Sequence, residues 1–334
     1  MILAVASGKG GTGKTTVSLN LARAFGSPVR LLDCDVEEPN CGLFLAGAVR
    51  SRETVSIPIP EVDASLCDAC GECSRFCEYN AIASLGAAPT VFAEMCHGCG
   101  GCALVCPRGA IRERPWRVGT VETIDSGPIE LTQGRLDIGV AMAPPLIQAV
   151  RTRDRGDIPA IIDAPPGTSC PVIAAIRGAD FTALVTEPTP FGLHDLTLAV
   201  HTARGLGLRF GVVLNRAGSG DDRVHRFCEK EGIPLLAEIP DDRRIAEAYS
   251  RGGLILDAIP GYKALDNVAL VPASLLPLNS TWQAIVNSLP QDEMLVVLPN
   301  QAEQQRVAQS VASHLQAKGK HVKVMDNQLQ RSKL

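Results

Sequence analysis

Apolar and polar side chains follow two periods along the chain, and together they predict strands alternating with helices. Short apolar runs typical of buried strands occupy residues 2–6, 29–33, 160–163, 183–186, 209–215 and 235–239. Helical spacing appears between them, as at residues 16–25, where Val17, Leu21 and Ala24 share one side, and at residues 194–204. This order predicts an α/β fold with a mostly parallel sheet and helices on both faces.

Two further segments show patterns of their own. Residues 114–142 alternate apolar and polar side chains around glycines, which predicts a small hairpin that returns the chain to the sheet. Near the end of the chain, residues 293–299, 301–319 and 321–326 predict strand, helix and strand. We therefore expect a C-terminal βαβ-like extension at 275–334, to which the sequence assigns no role.

The sequence SGKGGTGKTT, residues 7–16, lies between the first predicted strand and the first predicted helix. Residues 8–15 fit GxxxxGK[ST], a P-loop that turns backbone N–H groups and a helix N-terminus toward phosphate. In that geometry Lys14 reaches the β/γ-phosphate oxygens and Thr15 holds Mg²⁺. The nucleotide-binding candidates in this loop are Gly8, Gly10, Gly11, Thr12, Gly13, Lys14, Thr15 and Thr16.

Three aspartates follow apolar strands where a nucleotide site needs acidic groups. Asp33 and Asp35 end the segment VRLLDCD, and Asp163 ends PAIID. The carboxyl ends of strands line the ligand crevice of an open parallel sheet. Either Asp33 or Asp35 can then orient the attacking water, and Asp163 can reach Mg²⁺ through water. The alternative is that each aspartate only begins a turn.

Eight of the twelve cysteines belong to a repeated pattern, CxxCGxCxxxCxxxAI, at residues 67–82 and 96–111. CxxCxxC spacing wraps one cubane and the fourth cysteine reaches the other cluster, so the segment resembles the bacterial two-cluster ferredoxins. The pattern predicts two [4Fe-4S] clusters. The predicted ligand sets are Cys67, Cys70, Cys73 and Cys106 for one cluster, and Cys77, Cys96, Cys99 and Cys102 for the other.

Some of the cysteine chemistry stays open at this stage. Paired CxxC motifs also form Cys₄ zinc sites, although the doubled spacing favours iron–sulfur. Glu78 follows Cys77, whereas Pro107 follows Cys106 as the pattern expects, and this difference can change a cluster's potential. Cys170 is a further candidate for a shared metal at a dimer interface, with plain packing as the simpler interpretation.

The motifs KGGTGKT, DCDVEEPN, DAPPG and VLNRA, in this order, resemble the MinD/ParA superfamily of P-loop ATPases with a deviant Walker A motif. That superfamily includes the nitrogenase iron protein, and the similarity covers most of residues 1–60 and 115–258. The resemblance implies ATP and Mg²⁺ as ligands and ATP hydrolysis as the activity. It also implies a homodimer with sandwiched ATP, in which Lys9 reaches the phosphates that the other subunit binds.

The resemblance also implies roles for individual residues. Lys9, Lys14 and Asp35 would be catalytic, with Asp35 positioning water. Thr15, Asp33 and Asp163 would support Mg²⁺. The remaining carried-over positions are Asn40 in the switch segment and, framing the adenine, Asn215, Pro240 and Asp241.

These patterns together predict the domain organisation. We expect a discontinuous ATPase domain at 1–60 and 112–260, with a small α+β ferredoxin-like domain inserted at 61–111. Because the insert follows the second strand, both of its ends are expected near the nucleotide crevice.

Composition narrows the class of protein and its partners. The 334 residues are 46% hydrophobic with a net charge of −4. Because the chain has no long basic stretch, we expect no nucleic acid among its partners. The N-terminal apolar stretch is shorter than the roughly seven residues that a signal peptide needs, so we expect a cytoplasmic protein. The predicted helix at 301–319 has a thin apolar stripe with little basic charge, which makes membrane association a disfavoured alternative.

Three functions fit these features. The first is ATP-gated electron transfer from two clusters to a partner metalloprotein. The second is an ATP-dependent carrier or scaffold in the maturation of iron–sulfur or other metal cofactors. The third is a redox-sensing ATPase that positions another assembly, as ParA and MinD do. Eight ligands around two full cubanes are suited to retaining clusters, which favours the first.

Overall fold

The computed structural model describes residues 1–25, 28–86, 88–259, 293–298 and 321–326. Its strands are β1 (Ile2–Ala6), β2 (Val29–Asp33), β3 (Ala48–Val62), β4 (Ile82–Ala83), β5 (Thr90–Val91), β6 (Ile111–Ser126), β7 (Ile129–Leu136), β8 (Ala160–Asp163), β9 (Phe181–Thr186), β10 (Phe210–Ala217), β11 (Leu235–Pro240), β12 (Glu293–Leu298) and β13 (His321–Asp326). Its helices are α1 (Lys14–Ala24), α2 (Glu72–Phe76), α3 (Gly101–Leu104), α4 (Ala143–Arg151), α5 (Cys170–Ile176), α6 (Pro190–Gly205), α7 (Arg223–Glu231), α8 (Arg243–Ser250) and α9 (Ile255–Ala258).

Nine strands form one sheet in the order β11-β10-β9-β1-β8-β2-β7-β6-β3. The strands from β11 to β7 are parallel to one another, and β6 is antiparallel to both β7 and β3. The predicted α/β fold with a mostly parallel sheet is therefore confirmed. The predicted hairpin is β6–β7, and it belongs to this sheet, where it adds an antiparallel edge.

Helices cover both faces of the sheet because its strands are apolar on both sides. In β1, Leu3 and Val5 belong to one hydrophobic core, whereas Ala4 and Ala6 belong to the other. The first core also contains residues of α1 and α9, and the second contains residues of α4, α5, α6 and α7. Such two-sided burial is what a parallel sheet requires.

The carboxyl ends of the central strands meet along one side of the sheet, which we call the crevice edge. Asp33 at the end of β2 is paired with Asp163 at the end of β8, and Asp163 is also paired with Val5 of β1. The P-loop leaves β1 at this edge and α1 begins at Lys14. The fold therefore brings the P-loop and two of the predicted acidic residues together.

Strands β3 and β6 continue past the sheet as a two-stranded ribbon. Val55 is paired with Gly119, which in turn is paired with Leu136 at the end of β7. The pairing of β3 with β6 then continues to Val62 opposite Ile111. We call this extension, residues 56–62 and 111–118, the ribbon. It projects from the crevice edge.

The position of the ribbon corrects one expectation. The ends of the cysteine-rich segment do not lie beside the nucleotide crevice but at the tip of the ribbon. Val62 lies seven positions beyond Val55 in extended chain, which corresponds to about 20 Å. The segment is still attached to the side of the sheet that carries the P-loop.

The cysteine-rich segment folds back onto the ribbon. It contains the short helices α2 and α3 and the small antiparallel pair β4–β5. Ala81 and Cys96 share a hydrophobic cluster with Ile57, Val118 and Met142. Because Met142 immediately precedes α4, this cluster joins the segment to the loop that leaves β7 at the crevice edge.

The C-terminal extension is described only in part. Strands β12 and β13 form a parallel pair, as predicted, with Glu293 opposite His321. The predicted helix at 301–319 lies outside the described residues. Among the residues that the structure describes, none of the helices combines the length and the hydrophobicity that a bilayer crossing requires.

Candidate functional site

The P-loop has the conformation that its glycines permit. Gly13 adopts a left-handed φ of 92°, and α1 begins at the next residue. A Cβ atom on Gly13 would collide with the side-chain amide of Asn215, and one on Gly8 would collide with the backbone of Asp195 in α6. Gly10 and Gly11 have open space around them, so the loop keeps one side free. The glycines therefore fit closely on two sides and leave room for a phosphate group on another.

The start of α1 is tied to the end of β8 by hydroxyl groups. Thr15 Oγ1 donates to Asp163 Oδ2 at 2.7 Å, and Ser18 Oγ donates to Asp163 Oδ1 at 2.9 Å. Thr16 accepts from Asn20 through its backbone carbonyl. Two of the residues predicted to support Mg²⁺, Thr15 and Asp163, are therefore in direct contact.

Lys14 is a buried cation at this position, with only 6% of its surface exposed. Burial lowers the pKa of Lys14, while the negative charges of Asp163 and Asp35 oppose that shift. An ammonium group with little water around it interacts strongly with any anion that enters the loop. Lys14 is thus placed to bind a phosphate oxygen.

Asp33 is fully buried and holds the segment that follows β2. Its carboxylate accepts from the backbone N–H groups of Asn40 at 3.1 Å, Cys41 at 3.0 Å and Asp35 at 3.2 Å. Burial and the neighbouring Asp163 raise the pKa of Asp33 to about 8. Asp33 therefore fixes the segment that contains Asp35 and Asn40, the two predicted switch residues, against the sheet.

Asp35 is half-buried, in contrast to Asp33. Burial raises the pKa of Asp35 to about 6, and the positive charge of Lys14 opposes that shift. Asn40, the other predicted switch residue, has a side-chain Oδ1 that is buried without a hydrogen-bond partner. Asp35 is thus the more exposed of the two carboxylates in this segment and the one better placed to meet water.

Cys41 is a residue of this site that the sequence patterns did not identify. Its Sγ lies 3.6 Å from Asp163 Oδ2, and ligand atoms of Asp33, Cys41 and Asp163 all lie within 4.8 Å of one another. Burial and the two carboxylates raise the pKa of Cys41, so the thiol is protonated here. No sequence signal marks Cys41, because its neighbours come from strands more than 100 residues apart.

The residues predicted to frame the adenine lie at the ends of β10 and β11. Asn215 Nδ2 donates to the backbone carbonyl of Thr12 at 2.8 Å, which ties β10 to the P-loop. Pro240 is paired with Ala217, and the N–H of Asp241 donates to the carbonyl of Ala217 at 3.1 Å. The structure therefore places all three predicted residues around one loop next to the P-loop.

Lys9 contacts an acidic residue of its own chain. Its Nζ lies 3.3 Å from Oε2 of Glu187, the first residue after β9. Arg216 contacts the other oxygen of Glu187 at 2.8 Å. Sequence reasoning missed Glu187, because nothing in the segment TEPTP marks an acidic partner for a lysine 178 positions earlier.

The eight cysteines of the repeat line two separate cavities. The one that touches Pro58 and Pro60 of the ribbon, with a volume of about 300 Å³, we call the proximal cavity, and it is lined by Cys77, Cys96, Cys99 and Cys102. The smaller one at Val62 and Ile111 we call the distal cavity, and it is lined by Cys67, Cys70, Cys73 and Cys106. Each group of four is one of the two ligand sets that the spacing predicts.

The two repeats also share a backbone geometry. Left-handed φ angles occur at equivalent positions of each repeat: Ala69 and Gly98, Gly71 and Gly100, Asn80 and Gly109. The last cysteine of each repeat accepts from the N–H of the alanine four residues later, from Ala81 at 3.4 Å and from Ala110 at 3.3 Å. The CxxxAI spacing that both repeats share therefore corresponds to a repeated N–H···S contact.

The thiols of each group interact with one another. Burial raises the pKa of Cys73, and the charges of Cys106 and Cys67 add to the shift. Burial likewise raises the pKa of Cys102 to about 11, with Cys96 and Cys99 adding to it. These cysteines are therefore neutral thiols here, and a bound cation or cluster would be needed to hold them as thiolates.

The comparison with known families decides the class of the nucleotide site. Residues 3–255 match the family model for the CobQ/CobB/MinD/ParA nucleotide binding domain. The chain belongs to this family. Membership implies ATP and Mg²⁺ as ligands of the P-loop, and it describes the chain as an ATPase of the MinD/ParA type.

Individual relatives of this MinD/ParA-type ATPase agree with the assignment. The chain is 31% identical over 246 residues to the uncharacterized protein MJ0578 of Methanocaldococcus jannaschii, and the alignment covers 72% of the chain and 86% of that relative. It is 25% identical over 272 residues to the iron-sulfur cluster carrier protein of Pyrococcus abyssi, covering 75% of the chain and 77% of that protein.

A solved structure shares the fold of the MinD/ParA-type chain. The septum site-determining protein MinD of Pyrococcus horikoshii, in complex with Mg-ADP, is similar with a TM-score of 0.52 and 22% sequence identity. The similarity covers 80% of the chain and 93% of that structure. It supports the arrangement of the sheet and helices described above.

The other cysteines of this MinD/ParA-type chain lie outside both cavities. Cys34 and Cys228 are buried and Cys170 is exposed at the start of α5. Cys34 and Cys228 therefore act as small apolar side chains of the core, which also contains them.

Proposed function

We propose that the chain is an ATP-hydrolysing iron–sulfur protein in which ATP-dependent dimerisation gates electron transfer from two [4Fe-4S] clusters to a partner metalloprotein. One observation carries this proposal: the fold sorts the eight cysteines into two groups of four that match the predicted ligand sets. In each group three cysteines come from one repeat and the fourth from the other. Eight cysteines without a common ligand would not be expected to separate in this crossed manner.

The arrangement of the eight cysteines favours cubanes over single zinc ions. Among the described residues, the potential ligands that lie close enough together to hold one metal ion are Asp33, Cys41 and Asp163, and this group contains none of the eight cysteines. A doubled CxxCxxC pattern with a fourth, crossing cysteine is the spacing that holds two cubanes.

Different residues at the crevice edge have different roles in ATP hydrolysis. The P-loop amides and Lys14 would bind the phosphates, and Thr15 and Asp163 would hold Mg²⁺, which would neutralise charge on the phosphate oxygens. Asp35 orients the water that attacks the terminal phosphorus, so that ATP and water give ADP and phosphate. Lys9 of a second copy stabilises the charge that develops on the transferring group.

The crevice edge carries apolar side chains that suit a second copy of the chain. Exposed apolar side chains lie in the segments that follow the carboxyl ends of β2, β7 and β9: Leu43, Ile138 and, at the start of α6, Phe191. Apolar side chains gathered at one edge are typical of an interface. They support a dimer that closes over the nucleotide.

The proximal cavity connects the clusters to the nucleotide site. Cys96 of that cavity shares a hydrophobic cluster with Met142, and Met142 begins the turn into α4 beside the crevice edge. A change in this loop on dimer closure therefore moves the wall of the proximal cavity. Because exposure and nearby charge set the potential of a cluster, closure changes the potential or the accessibility of this cluster.

The experiment that tests the proposal is metal and sulfide analysis after anaerobic reconstitution. Two [4Fe-4S] clusters require eight iron and eight sulfide per chain. Cys73→Ala and Cys96→Ala should each remove one cluster and leave the other. Cys170→Ala, at an exposed cysteine outside both cavities, is the matched control and should retain all the iron. One bound zinc per cavity and no sulfide would contradict the proposal.

A second function, an ATP-dependent carrier of iron–sulfur clusters, is favoured by the similarity to the Pyrococcus abyssi carrier protein. The two functions differ in the fate of the clusters. Electron transfer leaves both clusters on the protein through many turnovers of ATP. Incubation with an apo-acceptor and Mg-ATP, followed by separation and iron analysis of both proteins, distinguishes them, because a carrier loses iron to the acceptor.

A further inference from the structure

Glu187 forms ion pairs with two cations, one at each of its carboxylate oxygens. Oε2 contacts Nζ of Lys9 at 3.3 Å, and Oε1 contacts the guanidinium of Arg216 at 2.8 Å. The side chain of Glu187 is only 8% exposed, whereas Lys9 is 31% and Arg216 57% exposed. A buried carboxylate thus lies between two side chains that reach solvent.

The three residues come from the three parts of the nucleotide site. Lys9 is in the P-loop, Glu187 follows β9, and Arg216 lies in β10 directly after Asn215. Arg216 has a left-handed φ of 55°, which is unusual for a residue other than glycine. The backbone that frames the nucleotide therefore also aims Arg216 at Glu187.

The arrangement makes Lys9 the exchangeable cation. A buried carboxylate is costly to leave without a partner. If Lys9 leaves Oε2, Arg216 remains 2.8 Å from Oε1 as an ion pair without hydrogen-bond geometry, and its charge still compensates that of Glu187. The departure of Lys9 is therefore much less costly than the loss of a sole partner would be.

We propose that Glu187 is a positioning residue that holds Lys9 in the single chain and releases it to the nucleotide phosphate bound by a second copy. This inference rests on the proposed ATP-dependent dimer. In the open chain the contact with Glu187 keeps Lys9 away from the phosphates of its own subunit. On closure, a triphosphate with several negative charges replaces Glu187 as the partner of Lys9. Dimer closure thus competes with this intrachain ion pair.

The first test is the dimer dissociation constant of Glu187→Gln with Mg²⁺ and a non-hydrolysable ATP analogue, measured by sedimentation velocity. Glutamine keeps the size of the side chain but removes the charge that holds Lys9. Loss of a partly exposed ion pair is expected to favour closure roughly threefold per chain. Two such contacts open in each dimer, so the dissociation constant should fall by roughly tenfold.

Arg216→Ala should change the same constant in the opposite direction. Without Arg216, Lys9 is the only cation left on a buried carboxylate, so its release becomes more costly. The dimer should therefore dissociate more readily. Titration calorimetry of the ATP analogue with the single chain measures separately whether the substitution changes the nucleotide site itself. Arg223→Ala is the matched control, because Arg223, the first residue of α7, forms an exposed ion pair with Asp221.

The role of Lys9 in these changes is isolated by combining substitutions. In a Lys9→Ala background, Glu187→Gln should have no further effect on the dissociation constant. Suppose that Lys9→Ala weakens the dimer but Glu187→Gln leaves the dissociation constant unchanged or raises it. The role of Glu187 would then be wrong, while the proposed dimer would stand. If the parent chain and Lys9→Ala both stay monomeric with the ATP analogue, the proposed dimer itself is wrong.

Discussion

Arg30 is a buried cation that three carboxylates surround. Its side chain is 1% exposed at the start of β2, with Glu130 at 2.7 Å, Asp154 at 3.1 Å and Asp157 at 3.0 Å. Burial opposes the charge of the guanidinium, but hydrogen bonds and the charges of Glu130 and Asp157 raise the pKa of Arg30 overall. The cluster lies at the edge of the sheet opposite the P-loop, so it serves the fold.

Arg30→Met should lower the free energy of unfolding by about 3 kcal/mol, because it leaves the nearly buried Asp154 without its cation and removes one of the cations of Glu130, which keeps Arg50. Chemical denaturation monitored by circular dichroism measures this change. The matched control is Arg52→Met, which removes an exposed partner of Glu122 and should cost at most about 1 kcal/mol. Equal losses for the two variants would contradict this role of Arg30.

The sequence identified those site residues that carry their chemistry within one short segment. Lys14 and Thr15 could be named because the loop, the strand before it and the helix after it are contiguous. Glu187 and Cys41 could not, because their importance comes from neighbours that only the folded sheet brings close. For Asp33, the sequence predicted an acidic group at the crevice but not that three backbone N–H groups already contact it.

The ribbon is the element that the sequence predicted least well. Pro58 and Pro60 interrupt the expected pattern of a strand, yet both lie within β3, and Pro58 is paired with Pro115. Proline is tolerated there because β3 is an edge strand, where a missing N–H does not break an inner ladder. The central strands were predicted well because burial on both faces makes them continuously apolar.

Shortening the ribbon should separate the two halves of the site. Val55 and Gly119 are directly paired, so an Asn-Gly turn in place of residues 56–118 can close the hairpin. This variant should bind the ATP analogue with an affinity within about threefold of the parent chain, since the P-loop and its contacts stay intact. It should bind no iron.

Titration calorimetry and iron analysis measure the two outcomes on the same preparation. A variant with the ribbon intact and Cys73→Ala combined with Cys96→Ala is the control for the loss of clusters alone. Loss of ATP binding by the shortened variant but not by this control would show that the ribbon supports the nucleotide site. That result would contradict a modular attachment of the cysteine-rich segment.

In the whole molecule, one edge of the sheet carries both kinds of chemistry. The P-loop occupies the carboxyl ends of the central strands, and the ribbon leaves the same edge with the cysteine cavities along it. Met142 and Cys96 belong to the same hydrophobic cluster and link the two. We therefore expect nucleotide binding to change the proximal cavity more than the distal cavity.

Coupling between the sites is a free energy and must be reciprocal. If dimer closure around ATP changes the potential of a cluster, reduction of that cluster changes the affinity for ATP by the same factor. A tenfold factor corresponds to about 59 mV for a one-electron couple. The size of the shift therefore measures how strongly the ATPase controls the clusters.

The most direct test of this account is an anaerobic redox titration of the reconstituted protein, followed by electron paramagnetic resonance, with Mg²⁺ and either ADP or a non-hydrolysable ATP analogue. The account predicts two cluster signals and a shift of about 60 mV in at least one potential between the two nucleotides. Lys14→Ala, which removes the phosphate-binding cation, should abolish that shift while keeping both signals. Two clusters whose potentials are the same with either nucleotide would contradict ATP-dependent gating.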